Sequence, residues 1–244
     1  MLSIYRKELS AFFSNATGYI VGGIFLLLTG LFLWVVPGSY NVLSSGYANV
    51  DGLFVLAPWL FLFLCPAVTM RLFAEEKQLG TWELLVTKPV SPLQIALEKY
   101  FAALTLVVIA LIPTVLYYFS VVWLAEPFGN VDAGAFWGAF IGLLFLSAIY
   151  VAIGVFGSAL ANNQIVAFIV TVVICFFMFY GFALISSFFS NAQLIQNIEN
   201  LGINAHYNSI SRGVIDSRDV AYFILIAMCF IFFTIFKIKP KQLR

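Results

Sequence analysis

Charged and apolar side chains that could bind another protein lie together in the segment from Arg71 to Lys99, between two long apolar runs. Because charges and irregular backbone are excluded from the hydrocarbon core of a membrane, this segment must lie in water. Trp82, Leu84 and Leu85 have little core to enter in so short a segment, so we interpret them as a protein-docking surface. The lipid interface is an alternative location for the tryptophan. Taken singly, the charges of the segment are more simply explained as a solvated face.

The sequence lacks the motifs for catalysis or for its own energy supply. It has no G-x-x-x-x-G-K-[ST] loop to hold a nucleotide, and no H-E-x-x-H or G-x-S-x-G motif for hydrolysis. The cores of the predicted membrane spans carry no Asp, Glu, Lys, Arg or His, although ion-coupled carriers generally need such groups at membrane depth. We therefore expect no catalytic, metal-binding or cofactor-binding residue, and an energy source in a partner. His206, the only histidine, lies in a predicted outer loop and is assigned no catalytic role.

The composition places these residues in a membrane protein. Of the 244 residues, 63% are hydrophobic and only 9% are charged, whereas a soluble domain has about 25% charged residues. This balance excludes a soluble enzyme, a disordered chain and a nucleic-acid-binding protein. Cys65, Cys175 and Cys229 each lie within an apolar run, which indicates buried thiols rather than a disulfide or a metal site.

Apolar runs of spanning length predict an all-α integral membrane protein with a single membrane domain over residues 1–244. About 20 apolar residues are needed to cross the hydrocarbon core. Residues 1–15 are instead amphipathic, and we expect them to form a helix lying in the membrane interface. The six predicted spans cover residues 18–36, 52–70, 100–122, 134–160, 165–187 and 220–236.

The distribution of Lys and Arg predicts that both termini face the cytosol, because these residues are enriched in cytosolic loops. In that orientation ten of the twelve Lys and Arg residues lie inside, and only Arg212 and Arg218 lie outside. Six of the eleven acidic residues lie outside, which is the opposite trend.

Local motifs within the charged segment predict two helices. Residues 91–94, Ser-Pro-Leu-Gln, combine a hydroxyl N-cap, proline at the first helical position and glutamine to close a capping box. We expect this helix to continue into the third span, with its first two turns, including Glu98 and Lys99, projecting into the cytosol. A short helix is expected before it, between Gly80 and Pro89.

Two further patterns concern the outer side and the helix contacts. In residues 188–219 the apolar spacing predicts a short amphipathic helix, ended by Gly202, that lies in or dips into the outer leaflet. Asp216 is then expected to be the acidic N-cap of the last span.

Small residues four apart, as at Gly138 and Gly142, favour close helix packing, either within one subunit or between two.

The charged segment resembles the coupling loop of ABC-2 type transporter permeases. Residues 74–85 read A-E-E-K-x-x-G-T-x-E-L-L, and the amphipathic first helix, six spans and long outer segment extend the resemblance over nearly the whole chain. It implies an ABC-2 (type V exporter-like) permease that pairs with a second permease through its first and fifth spans. It also implies an ABC ATPase partner that binds the ATP. The residues that the resemblance places against the ATPase are Glu75, Glu76, Gly80, Thr81, Trp82, Glu83, Leu84 and Leu85, with Asn162 and Asn163 in the turn after the fourth span.

Residues 1–8 and 206–219 are similar to permeases associated with gliding motility. That similarity implies the inner membrane of a bacterium, an ATPase of the GldA type and a membrane partner of the GldG type. It does not supply a substrate, and pairing with an identical or a different permease stays open. A scaffold that transports nothing is the alternative. Its outer segment would transmit force from the partner ATPase to an envelope machine.

Overall fold

A computed structural model describes residues 3–83, 87 and 90–239 of the chain. Within these residues the chain forms helices and no strand. The predicted docking residues Leu84 and Leu85 lie outside the described residues, as do Pro89 and the last five residues of the basic tail.

The helices follow one another with short connections, except for the outer segment. Two spans contain a π-helical turn, Leu31–Val35 and Phe177–Gly181, and a third contains a 3-10 turn, Ile112–Thr114. The α-helices are α1 (Ser3–Phe13), α2 (Ala16–Gly30), α3 (Asp51–Thr69), α4 (Arg71–Gln78), α5 (Pro92–Leu111), α6 (Val115–Leu124), α7 (Ala133–Leu160), α8 (Gln164–Phe176), α9 (Phe182–Ser186), α10 (Ala192–Glu199), α11 (Ile203–Ile210) and α12 (Ser217–Ile238).

Six helical stretches are long and apolar enough to cross a membrane, so the prediction of an all-α protein with six spans is confirmed. In the second stretch α4 continues the direction of α3 after a break at Met70, and the third begins at Pro92, well before the predicted span. The stretches are Gly18–Val35, Asp51–Gln78, Pro92–Leu124, Ala133–Leu160, Gln164–Ser186 and Ser217–Ile238.

Helix α7 is the centre of the bundle and packs against α3, α4, α5, α8, α11 and α12. Its glycines allow this approach. A Cβ atom at Gly138 would lie 2.5 Å from the carbonyl oxygen of Gly213, and one at Gly142 would lie 2.9 Å from the Ile210 side chain. Close packing at these two small residues is therefore packing within one chain.

The outer segment contains two helices where the sequence predicted one. Helix α10 is the predicted amphipathic piece, and Gly202 is the residue before the unpredicted helix α11. Helix α11 buries Ile203, Tyr207 and Ile210 against the bundle. Its short sequence, with asparagines on the other face, gave too weak an apolar period to be recognised.

A proline in the second span leaves a backbone acceptor to which α11 is hydrogen-bonded. Pro58 has no N–H, so the carbonyl of Phe54 one turn earlier lacks its helical donor. The Tyr207 hydroxyl donates to that carbonyl oxygen at 2.6 Å. The kink-prone site of α3 is thereby used to bind α11.

His206 joins three helices of the outer segment. Its Nδ1 lies 2.7 Å from Asp219 Oδ1 in α12, and its Nε2 lies 2.9 Å from the Asn200 carbonyl oxygen after α10. The ring stacks on Tyr222 with the centroids 3.8 Å apart. Asp216 accepts a hydrogen bond from the Arg218 N–H at 2.9 Å, which confirms its predicted role as N-cap.

Candidate functional site

The predicted docking segment lies at the end of the bundle that contains α1, which we call the α1 end. It comprises α1, α4, the first turns of α5 and the turn between α7 and α8. Helix α1 packs against α5, and α4 packs against α7 and α8. The structure thus brings the two predicted contact regions, residues 75–83 and the turn at 162–163, to one end of the molecule.

A buried lysine organises the α1 end. The side chain of Lys99 in α5 is 0% exposed, and its Nζ lies 2.7 Å from Glu8 Oε1 in α1 and 3.1 Å from Glu76 Oε2 in α4. It also donates to the carbonyl of Leu72 and lies 5.0 Å from the ring centroid of Phe73. Because a buried ammonium is tolerated only when it is paired, this lysine ties α1, α4 and α5 together.

A second lysine balances the charge of the cluster. Lys7 Nζ donates to Glu76 Oε1 at 2.7 Å and lies 4.0 Å from Glu8 Oε1. Partial burial by itself lowers the pKa of Lys7, but the hydrogen bond and charge of Glu76, with the charges of Glu8 and Glu75, outweigh burial and raise the pKa. The two lysines and the two glutamates of this cluster, Lys7, Lys99, Glu8 and Glu76, sum to zero charge.

Glu98 of α5 caps the N-terminal end of α1, a helix that is far from it in the sequence. Its Oε2 accepts hydrogen bonds from the backbone N–H groups of Ile4 at 2.9 Å and Tyr5 at 3.3 Å. These donors belong to the first turn of α1, which has no intrahelical acceptor for them. The first two turns of α5 were expected to project into the cytosol, and in the structure α1 packs against them and buries the side chains of Glu98 and Lys99.

The predicted capping box at the start of α5 is half formed. The Ser91 hydroxyl accepts from the Gln94 N–H at 3.2 Å, and Pro92 occupies the first helical position, as predicted. The Gln94 side chain does not return to the cap but donates to Glu98 Oε1 at 2.8 Å. It therefore orients the carboxylate that caps α1.

Helix α4 is attached to the centre of the bundle by a serine and a lysine. Ser158 Oγ accepts from the N–H groups of Phe73 at 2.9 Å and Ala74 at 3.2 Å, and it donates to the Met70 carbonyl at 3.1 Å. This serine of α7 satisfies first-turn donors of α4. Lys77 donates to the carbonyls of Ala159 and Ala161, at the end of α7.

The residues predicted to contact a partner occupy different environments. Glu75 is partly exposed and pairs with Arg71 at 3.0 Å, whereas Glu76 is only 8% exposed and faces the lysines. Trp82 is half-buried with its ring centroid 5.6 Å from that of Phe73, so it is not the freely exposed side chain that was expected.

The remaining predicted residues lie on the surface. Gly80 has φ +70° and turns the chain away from α4, a conformation that favours glycine. Thr81 and Glu83 beyond it are exposed, and Asn162 is exposed in the turn after α7. Asn163 is exposed too, and its side chain caps α8 by accepting from Val166 N–H at 2.8 Å.

The sequence interpretation missed the residues that hold the site together. Lys99, Glu98 and Glu8 were assigned to a solvated segment or to the polar face of α1. A weak signal was available, because opposite charges recur next to the predicted membrane boundary in both segments. Ser158 gave no signal, since a hydroxyl inside a span usually bonds to its own helix.

One comparison with known proteins identifies the family. The family model described as an ABC-2 family transporter protein matches residues 36–238, which is more than half of the chain. No curated protein matches this chain. The matched range includes all of α3 to α12 and therefore residues 71–99 as well as the outer segment. The chain belongs to the ABC-2 transporter family, and as a multi-pass member of that family it is the membrane-spanning permease component of a transporter.

Proposed function

We propose that this chain is the permease subunit of an ATP-driven exporter, that it resembles the gliding-motility permease GldF, and that a separate GldA-like ATPase supplies the energy. One observation carries this proposal. Helix α4 leads directly to the exposed residues Thr81 and Glu83 and is joined to α1, α5 and α7 by buried polar contacts. We therefore expect a displacement of this exposed segment to move α1, α5 and α7 as well.

The mechanism follows from these attachments. ATP binding closes the two ATPase subunits, and the segment after Gly80 moves with them. Lys99 transmits the displacement to α1 and α5, while Ser158 and Lys77 transmit it to the central helix α7. Because packed helices move as rigid bodies, the spans then rock and open a path to the outside.

The charge distribution supports an orientation with both termini in the cytosol, and the resemblance to gliding-motility permeases supports the inner membrane of a bacterium. The basic side chains of α1 and α4 lie at the same end of the bundle, whereas Arg212 and Arg218 lie at the opposite end. Under the positive-inside rule, the α1 end faces the cytosol. The ATPase then binds where ATP is available.

The first and fifth spans supply the proposed seam with a second permease, identical or GldG-like. Their apolar side chains face away from the bundle, including Ile20 at 56% and Leu27 at 62% exposure in α2. Ile169 and Val173 in α8 are 54% and 59% exposed. Lipid covers these faces wherever no partner does.

Co-purification tests the energy-coupling proposal. The tagged chain is extracted from its native membranes in mild detergent, and its partners are identified by mass spectrometry. A P-loop ATPase is expected with the wild type and with Glu126→Lys, but its recovery should fall with Glu83→Lys. Both glutamates are exposed, at opposite ends of the bundle, so the two charge reversals are matched.

Absence of any ATPase from the wild-type preparation would remove the energy source, and active transport would be abandoned for a passive or structural role. Equal recovery with both variants would instead show that Glu83 does not lie in the contact.

The hydroxyls within the spans favour one alternative, a scaffold that transmits force without transport. Thr29 donates to Phe25 O at 2.9 Å and Thr171 donates to Ala167 O at 2.7 Å, so both bond to their own helices. Hydroxyls that bond to their own helices do not supply a polar path for a substrate. Inside-out vesicles distinguish the two functions, because an exporter accumulates a compound in the lumen only with ATP. ATP-dependent changes in cross-linking without accumulation support the scaffold.

A further inference from the structure

A groove of about 330 Å³ separates α1 from α4 and is lined also by the third span. Its volume falls in the range of roughly 300–1,000 Å³ that is usual for small-molecule sites. Phe12 and Leu72 line its apolar part, and Lys7, Arg71 and Glu75 line its charged part. The groove is thus amphipathic.

The two parts of the groove lie at different depths in the membrane. Val68 lies within the apolar run of the second span, and Leu106 lies within that of the third. Arg71 and Glu75 follow Val68 on the same helical face, and Glu75 is roughly 10 Å farther along the axis at 1.5 Å per residue. The groove therefore runs from hydrocarbon depth to head-group depth, along the leaflet that borders α1.

The charges at head-group depth occur as adjacent opposites. Arg71 Nε lies 3.0 Å from Glu75 Oε2, and Lys7 Nζ lies 2.7 Å from Glu76 Oε1. An anionic head group would meet a carboxylate beside each cation and gain little net attraction. A zwitterion can place its phosphate beside the arginine and its ammonium beside the glutamate.

We propose that this groove binds one phospholipid with a phosphate and a primary ammonium, the chemistry of phosphatidylethanolamine. The phosphate lies beside Arg71, the ammonium donates to Glu75, and an acyl chain follows Val68, Leu106 and Phe12. A quaternary ammonium has no N–H to donate, so phosphatidylcholine loses the hydrogen bond to the carboxylate.

The proposed lipid contacts two elements of the energy-coupling end at once. One wall of the groove belongs to α1 and the other to α4, and Lys99 joins these two helices through its ion pairs with Glu8 and Glu76. The lipid fills the space between them on the membrane side. It is a bound component of the α1 end, distinct from any cargo.

Native mass spectrometry of the full-length chain tests this inference. The delipidated protein is incubated with equimolar dioleoyl phosphatidylethanolamine, phosphatidylcholine and phosphatidylglycerol in detergent. One phosphatidylethanolamine is expected to remain per chain, preferred about tenfold over phosphatidylcholine, as expected for one charge-assisted hydrogen bond. Equal retention of the three lipids, or preference for phosphatidylglycerol, overturns the proposal.

Two adjacent residues of α1 supply a matched pair of variants. Ala11 lines the groove, whereas Ser10 is exposed outside it. Ala11→Trp fills the groove and should abolish lipid retention, while Ser10→Trp should leave it unchanged. Unchanged retention in Ala11→Trp contradicts the location.

A more conservative variant tests the proposal even if Ala11→Trp disturbs folding. Glu75→Gln removes the charged acceptor and should reduce the preference for phosphatidylethanolamine over phosphatidylcholine about tenfold. An undiminished preference contradicts the head-group assignment. Because the measurement uses the chain alone, its failure does not affect the proposed contact with an ATPase.

Discussion

The two ends of the bundle are held together by different forces. At the α1 end, buried ion pairs centred on Lys99 join α1, α4 and α5. At the opposite end, Ile210 of α11 packs on Gly142 of α7, the backbone of Gly213 after α11 packs on Gly138, and Tyr207 supplies the main polar contact of α11. The first end depends on charges that must stay paired, and the second depends on close contact between backbones.

This difference suits the proposed mechanism, in which the α1 end receives the displacement from the ATPase. Ion pairs can exchange partners as helices move, because one lysine can serve either of two carboxylates at similar distances. Close packing of backbone on backbone tolerates little movement, since a well-packed interface has few alternative arrangements. We therefore expect mobility at the α1 end and rigidity at the contact between α7 and the outer segment.

The largest effect is expected from Lys99→Met. The methionine fills a similar volume but leaves Glu8 and Glu76 without their buried partner, which costs about 3–5 kcal/mol of unfolding free energy. Thermal or denaturant unfolding in detergent measures the loss. The compensating variant Lys99→Met with Glu76→Gln should recover part of it. If the single variant is as stable as the wild type, the ion pairs do not hold this end together.

A somewhat smaller effect is expected from Gly138→Leu at the other end. The new side chain collides with the backbone of Gly213, and overpacking of this kind costs about 3 kcal/mol. Gly22→Leu is the control, because nothing lies within 4 Å of a Cβ there. Unfolding midpoints of the two variants are compared. An equal loss in both would contradict the assignment of rigidity to the contact of α7 with the outer segment.

Tyr207→Phe removes one hydroxyl and nothing else. The carbonyl of Phe54 then has no donor, because Pro58 cannot supply one, and the expected cost is about 1–2 kcal/mol. Tyr222→Phe is the matched control, since its hydroxyl donates to Leu201 O at 2.7 Å in an exposed position. The loss should be clearly greater for Tyr207, and the reverse order would show that α11 is held by apolar contact alone.

Much of the fold followed from the sequence, because apolar runs of spanning length are a strong signal. The six spans, the N-cap at Ser91 and the acidic cap at Asp216 were predicted from local patterns alone. Helix α11 was missed because its apolar period is weak and the burial of Ile210 depends on Gly142 of a distant helix.

The candidate site was predicted less well for a similar reason. Residues 75–83 were recognised as a distinct segment, but the sequence does not show which of their charges face inward. Neighbours such as Glu75 and Glu76 differ only in the direction that α4 gives them. Their contacts come from α1 and α5, whose approach is decided by tertiary packing rather than by local propensity.

That difference supplies the smallest predicted effect and the sharpest test of the comparison. Glu75→Gln breaks an i,i+4 pair with Arg71 whose side chains are 17% and 34% exposed, and the expected cost is about 0.2–1 kcal/mol. Glu76→Gln makes the same chemical change one residue later but leaves two lysines short of a carboxylate, one of them fully buried. Its cost should exceed that of Glu75→Gln by at least about 2 kcal/mol. Unfolding of both variants in the same detergent measures the gap. Equal losses would mean that the number of ion pairs matters and their burial does not, and the contrast between the two ends of the bundle would then lose its electrostatic basis.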